Sequence, residues 1–169
     1  MSLGERAIDV KGSAWLDREW STSMLANDQV GWDWFALHLD DGRQLMLYQL
    51  RLKDGSPDPA SSGNLVAEDR STRKLKRKDF SLEPLELWES PHSGGRYPRK
   101  WRIQIPSEKI DLTVETELDD QELALTAVRY YEGAVRVTGS QNGEGYMELT
   151  GYAGALDALT PGVSGENPE

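Results

Sequence analysis

Apolar and polar residues alternate with a period of two from residue 7 to residue 152, as expected of strands that bury one face. The pattern predicts strands at 8–16, 31–39, 44–53, 63–69, 79–88, 100–105, 110–117, 131–139 and 144–152. Turn chemistry separates them. Asp40-Asp41-Gly42 and Asn142-Gly143 supply the positive φ that a tight hairpin needs. Ser56-Pro57-Asp58-Pro59 and Pro91-His92-Ser93-Gly94-Gly95 read as longer loops. One helical turn is expected around Asp119-Asp120-Gln121-Glu122, whose acids suit a first helical turn. Nine short strands at near-regular spacing predict an all-β antiparallel barrel or sandwich. The barrel is favoured, because closure removes edges that apolar strands otherwise expose.

The phase of the alternation sorts the polar residues by face. If 12–20 (GSAWLDREW) stays extended, Trp15, Asp17 and Glu19 share a face. In 31–39, Trp32, Trp34, Ala36 and His38 share one face, and Asp33 falls in phase with Phe35, Leu37 and Leu39. An acid in that company is out of character for a plain core. In 131–137, Glu132 and Arg136 oppose Tyr131, Gly133, Val135 and Val137. In 146–152, Tyr146, Glu148, Thr150 and Tyr152 are in phase. Acids therefore recur among aromatics, and two readings stand. In one, Trp and Tyr line an apolar cavity holding carboxyl groups, whose desolvation raises their pKa towards that of a general acid. In the other, the acids pair with Arg18, Arg51, Arg129 or Arg136 and face water. Glu19 reads as a salt-bridge partner. His38 is placed to shuttle protons, though a lone strand histidine more often marks a surface position, and His92 sits in a loop.

Composition narrows the classes. The chain has 169 residues, enough for one domain. Apolar residues make up 37% and mean hydropathy is -0.63. Six Trp, six Tyr and two Phe concentrate apolar area in a few large side chains. No run reaches the roughly 18 apolar residues of a membrane span. There is no Cys and there are two His, which excludes disulfides, thiolate metal sites and a histidine-rich metal centre. Neither a phosphate-cradling glycine loop nor a nucleophilic serine elbow is present, so no cofactor and no metal are expected. A net charge of -10 argues against nucleic acid or anionic lipid as the main partner. Basic residues are segregated into Arg70, Arg73, Lys74, Lys76, Arg77 and Lys78, and Arg96, Arg99, Lys100 and Arg102. They fit either an acidic partner or a solvated hairpin with Lys guarding an edge. Residues 1–3 read as an expression scar, 4–152 as the barrel and 153–169 as a flexible acidic tail.

Five stretches resemble a known family: GSAWLDREW (12–20), GWDWFALHLDDGRQLMLYQLR (31–51), WESPHSGGRYPRKW (88–101), YEGAVRVTG (131–139) and GYMELTGY (145–152). Together they are similar to the AttH / hydroxyneurosporene synthase group, which includes carotenoid hydratases and proteins labelled predicted secreted hydrolases. The resemblance implies a lipocalin-like barrel, the second of two in tandem, with a lipophilic small molecule and the N-terminal barrel of the same protein as partners. It also implies a bacterial, periplasmic or secreted setting, and a lone half exposing its docking face is expected to form a homodimer. In the hydratases an acid protonates an alkene, and aromatic faces suit the resulting cation. The family pattern carries His-x-Trp and Tyr-x-Asp. Here Arg18-Glu19-Trp20 and Tyr48-Gln49-Leu50 keep Trp20 and Tyr48, while Arg18 and Leu50 replace the His and the Asp. Two functions follow from the resemblance. One is a barrel that binds an isoprenoid, fatty acyl or similar ligand through Trp15, Trp20, Trp34, Glu132, Tyr146 and Glu148. The other is part of a hydratase, lyase or isomerase using Asp17 or Asp33 as acid, with Tyr48 shaping the site.

Overall fold

A computed structural model describes residues 2–4, 6–18, 25–124 and 129–154. Strands β1 (Ser2–Leu3) and β2 (Arg6–Ala7) form a small separate sheet. The main sheet contains β3 (Gln29–Leu39), β4 (Gln44–Leu52), β5 (Ser62–Val66), β6 (Thr72–Lys76), β7 (Ser81–Glu89), β8 (Arg96–Ile105), β9 (Ile110–Thr116), β10 (Glu122–Ala124), β11 (Arg129–Gly139) and β12 (Gly143–Thr150). Its nine-strand path runs β6-β5-β4-β3-β12-β11-β9-β8-β7, with β10 paired to β11. Every pairing is antiparallel. The sheet curls into a half-barrel: the all-β antiparallel class is as the alternation predicts, and the lipocalin-like barrel is as the family resemblance implies.

Alternation also builds the core. Phe35, Leu37 and Leu39 of β3 meet Leu45 and Leu47 of β4, Ile103 and Ile105 of β8, Leu112 and Val114 of β9, and Val135 and Val137 of β11 in one buried cluster. Phe35 and Trp101 pack edge to face with ring centroids 5.4 Å apart. Each such side chain, fully buried, contributes about 1.5–3 kcal/mol before the entropy of ordering is charged against it.

Closure differs from expectation. Among the described residues no hydrogen-bonded ladder joins β6 to β7. A single 3-10 turn, Arg77–Asp79, links the two strands, and Leu75, Phe80 and Leu82 drive into the shared core from either side. The seam therefore has no backbone ladder among the described residues, while both of its strands contribute side chains to one core. Its edges carry other protection. β6 exposes Arg73, Lys74 and Lys76, and β7 carries Pro84 with register shifts on either side of Glu86; charge, proline and irregularity all discourage a foreign strand.

Three local expectations need correction. Residues 8–18 form no strand, because their alternation lies against the sheet without a ladder partner. Asp119–Glu122 is no helical turn: Gln121 N–H donates to Asp119 O at 3.2 Å and Glu122 opens β10. Among the described residues the 3-10 turns are Arg77–Asp79 and Pro106–Glu108. Thr72–Lys76 forms an unforeseen strand. Three of the four residues of the second basic group are paired with acids on the surface, with Arg99 2.7 Å from Glu86, Lys100 3.3 Å from Glu115 and Arg102 2.7 Å from Asp111. Met1, Glu19, Trp20 and the expected tail from residue 155 lie outside the described residues.

Candidate functional site

Outward-facing residues of β3, β12 and β11 floor a groove of about 790 Å³, and residues 12–17 cross over it. Its concavity follows from side-chain size. Tyr146 on β12 sits between Ala36 of β3 and Ala134 of β11, its partners in register. Small neighbours on both sides of a large ring leave open space beside it. Trp15 stands over this floor, 6.3 Å from Trp34 in an edge-to-face arrangement and 5.7 Å from His38. Ser13 ties the crossing segment down by donating to Glu144 at 2.7 Å.

The polar lining is acidic. Asp17, Glu117, Glu132, Glu144 and Glu148 all border the groove. The Tyr146 hydroxyl donates to Glu132 at 3.3 Å, and Trp32 Nε1 donates to Glu148 at 2.8 Å. Arg136 neutralises Glu117 at 2.8 Å. Partial burial, followed by the negative charge of Glu132 and Glu148, raises the Tyr146 pKa.

Asp33 occupies the other side of the sheet. It is fully buried, and one of its oxygens, Oδ1, receives both Arg51 Nη1 and the Tyr152 hydroxyl, the latter at 2.8 Å. Arg51 also donates to the Thr150 carbonyl and stacks over the Tyr152 ring at 4.0 Å. Among the described residues, the second carboxylate oxygen, Oδ2, and Gln49 Oε1 on the directly opposite β4 residue have no hydrogen-bond partner. Burial raises the Asp33 pKa, and Arg51, Tyr152 and the Gln49 amide offset only part of that rise. Tyr152 reaches this site because Gly151 turns the chain with φ +75. A Cβ at Gly151 would lie 2.0 Å from the Val30 carbonyl oxygen, so glycine is needed there. The turn breaks the phase that places Tyr152 with Tyr146 and Glu148 in the sequence.

Next to Tyr152 runs an aromatic cluster. Tyr97 lies 5.7 Å from Tyr152 and stacks on Tyr131 at 5.0 Å, and Trp88 packs on Tyr131 at 5.8 Å. Glu122 accepts from the Tyr97 hydroxyl at 2.9 Å and from the Ser90 hydroxyl. Burial pushes the Glu122 pKa up, but these hydroxyls and Arg129 more than offset it and hold it below the ordinary value.

The structure thus brings together Trp15, Asp17, Trp34, Glu132, Tyr146 and Glu148 around one groove, and keeps Asp33 apart. Tyr48 shares the outer face as the cross-strand neighbour of Trp34. Its hydroxyl lies 3.3 Å from the Ala60 carbonyl and 2.9 Å from the Ser62 hydroxyl, and it is not among the groove residues. Leu50 packs with Leu25, Trp32 and Tyr130 in a satellite cluster. Trp20 lies outside the described residues. Sequence reasoning left out Ser13, Glu117 and Glu144; the outward phase of β12 was the available signal for Glu144. Among the described residues no three His, Asp or Glu side chains are grouped to hold a metal ion.

A model of the AttH-like family matches residues 1–152. A crystal structure of an AttH candidate from Nitrosomonas europaea is similar at 36% identity with a TM-score of 0.73, over 79% of this chain and 42% of that one. The chain therefore spans less than half the length of that protein. Among curated proteins none matches.

Proposed function

The chain belongs to the AttH-like family, and from that premise we propose that it is a ligand-binding half-barrel whose outer-face groove holds a lipophilic small molecule. The observation that carries this reading is the groove of about 790 Å³ walled by Trp15, Trp34 and Tyr146. That volume falls in the range of small-molecule sites, which pair apolar walls with a few fixed polar groups. The barrel interior is filled by its own side chains, Trp101, Phe35 and Tyr97 among them, which favours the outer face. The chain spans 42% of the related structure, so an N-terminal barrel of the same protein is the natural cover for the groove.

A catalytic role would rest on Asp17, the acid candidate that borders the groove. Asp33 is held by Arg51 and Tyr152 on the far side of the sheet, out of reach of a groove ligand. The test is a tryptophan-fluorescence titration with a linear carotenoid, a fatty acid and a hydrophobic dye. Saturable quenching that is lost in Trp34→Ala supports the reading. Quenching that survives in Trp34→Ala places the ligand elsewhere, and no quenching by any probe rejects the groove as a site in this chain.

A further inference from the structure

An apolar ligand alone does not account for the charge around the groove. Five carboxylate side chains border it, and its described lining includes no lysine or arginine. Asp17 is held by the Arg18 backbone N–H at 3.0 Å, Glu132 by the Tyr146 hydroxyl and Glu144 by the Ser13 hydroxyl. These neutral donors leave the three negative charges in place. His38, packed on Trp15, is the one basic ring in that lining. The acids are spread around the aromatic walls, and among the described residues no three of them form a group fit for a metal ion. A diffuse cation of molecular size matches them better than a point charge.

Aromatic rings strengthen the match. A ring face attracts a cation through its quadrupole, and Trp15, Trp34 and Tyr146 line the same space as the acids. The raised pKa of Tyr146, in part an effect of Glu132 and Glu148, reports the same negative potential. A fatty acid carboxylate in this groove would meet like charge. Resting on the reading of the groove as the ligand site, we propose that its ligand is a lipophilic cation: an apolar body bearing an ammonium or another fixed positive charge.

The test compares three probes of one chain length by calorimetric titration: decyltrimethylammonium, decanol and decanoate, each below its aggregation threshold. The cation should bind at least about tenfold more tightly than decanol, a difference of about 1.4 kcal/mol, and decanoate should bind most weakly. The preference should shrink with added salt and in the Glu132→Gln/Glu144→Gln pair, checked for an unchanged melting midpoint. Glu83→Gln, a β7 acid away from the groove, should leave it intact. Equal binding of decanol and the cation overturns the charge preference while leaving the groove as the site. A cation preference equally reduced by Glu83→Gln, or unaltered in Trp34→Ala, assigns it to the acidic surface at large and overturns the proposal. Binding by none of the probes overturns both the preference and the reading beneath it.

Discussion

Replacing Arg51 with Met keeps most of the side-chain stem but removes the charge beside Asp33. The Asp33 carboxyl is wholly buried and the Arg51 side chain is 13% exposed, so solvent cannot replace the lost partner. Breaking a buried pair from one side typically costs about 3–5 kcal/mol. The structure sets a ceiling on the charge part of that loss, because Asp33 can take up a proton instead. Holding a carboxyl protonated at neutral pH, about three units above its ordinary value, costs ~4 kcal/mol at ~1.36 kcal/mol per unit. Wild type already bears a share of this, since burial raises its Asp33 pKa. A smaller remainder, about 1 kcal/mol, belongs to the hydrogen bond from Arg51 to Thr150. The loss in Arg51→Met should therefore be large near neutral pH and contract to that remainder once the pH falls below the ordinary carboxyl value, ~3.9. Urea unfolding across this range is the assay, with Asp33→Asn/Arg51→Met as the companion variant. The double variant should recover most of the loss at neutral pH. Equal losses at neutral and acid pH, or no recovery in the double variant, would refute the claim that the uncompensated Asp33 charge is the cause.

Asp33→Asn alone should remove a fall in stability. The unfolded carboxyl ionises before the buried one, so this group's contribution is full below the unfolded pKa and declines as pH rises towards the raised folded value; the difference between variant and wild type across a pH series isolates it from the other acids. Glu122→Gln has the opposite origin. Its folded pKa is lowered, so its stabilisation is present above the unfolded value and lost as pH falls through the folded one, and the variant should lose about 1–3 kcal/mol at neutral pH and little in acid. Gly63→Ala should cost about 1–3 kcal/mol by overpacking, because a Cβ there would lie 2.3 Å from Met46 O and 2.5 Å from Leu47 Cδ2. An unchanged denaturation midpoint in Gly63→Ala would contradict that crowding.

Where a strand carries a full apolar stripe, the sequence shows it. β3, β9 and β11 lie close to their predicted limits, and Asp33 could be assigned to the core face from its phase alone. β6 was not legible, because Thr72–Lys76 offers one buried residue, Leu75, among charges that read as a surface patch. The segment around Trp15 failed in the other direction. Its alternation is real, but alternation does not specify a ladder partner, and here the residues pack on the sheet's outer face through Trp34 and His38. The groove residues were largely legible as outward-phased acids and aromatics on separate strands. That they meet depends on β3 pairing with β12, a long-range contact no local pattern encodes. The same limit hid the choice among Arg51, Arg18, Arg129 and Arg136 as partner for Asp33.

The β3–β12 ladder has a consequence for how the molecule forms. β3 to β6 make one meander and β7 to β12 another, each built from strands near in sequence. Hydrogen bonds join the two meanders along β3 and β12, where Trp32 and Thr150 bond across 118 residues of chain. Such distant pairing is the slow part of β folding, since the closure entropy is spent before contacts return it. The groove straddles this joint, with Trp34 on one meander and Tyr146 on the other. The groove therefore depends on that joint: either meander can form its own hairpins while the groove does not yet exist, and on the proposed reading a ligand would meet a complete site only in a chain that has closed the joint.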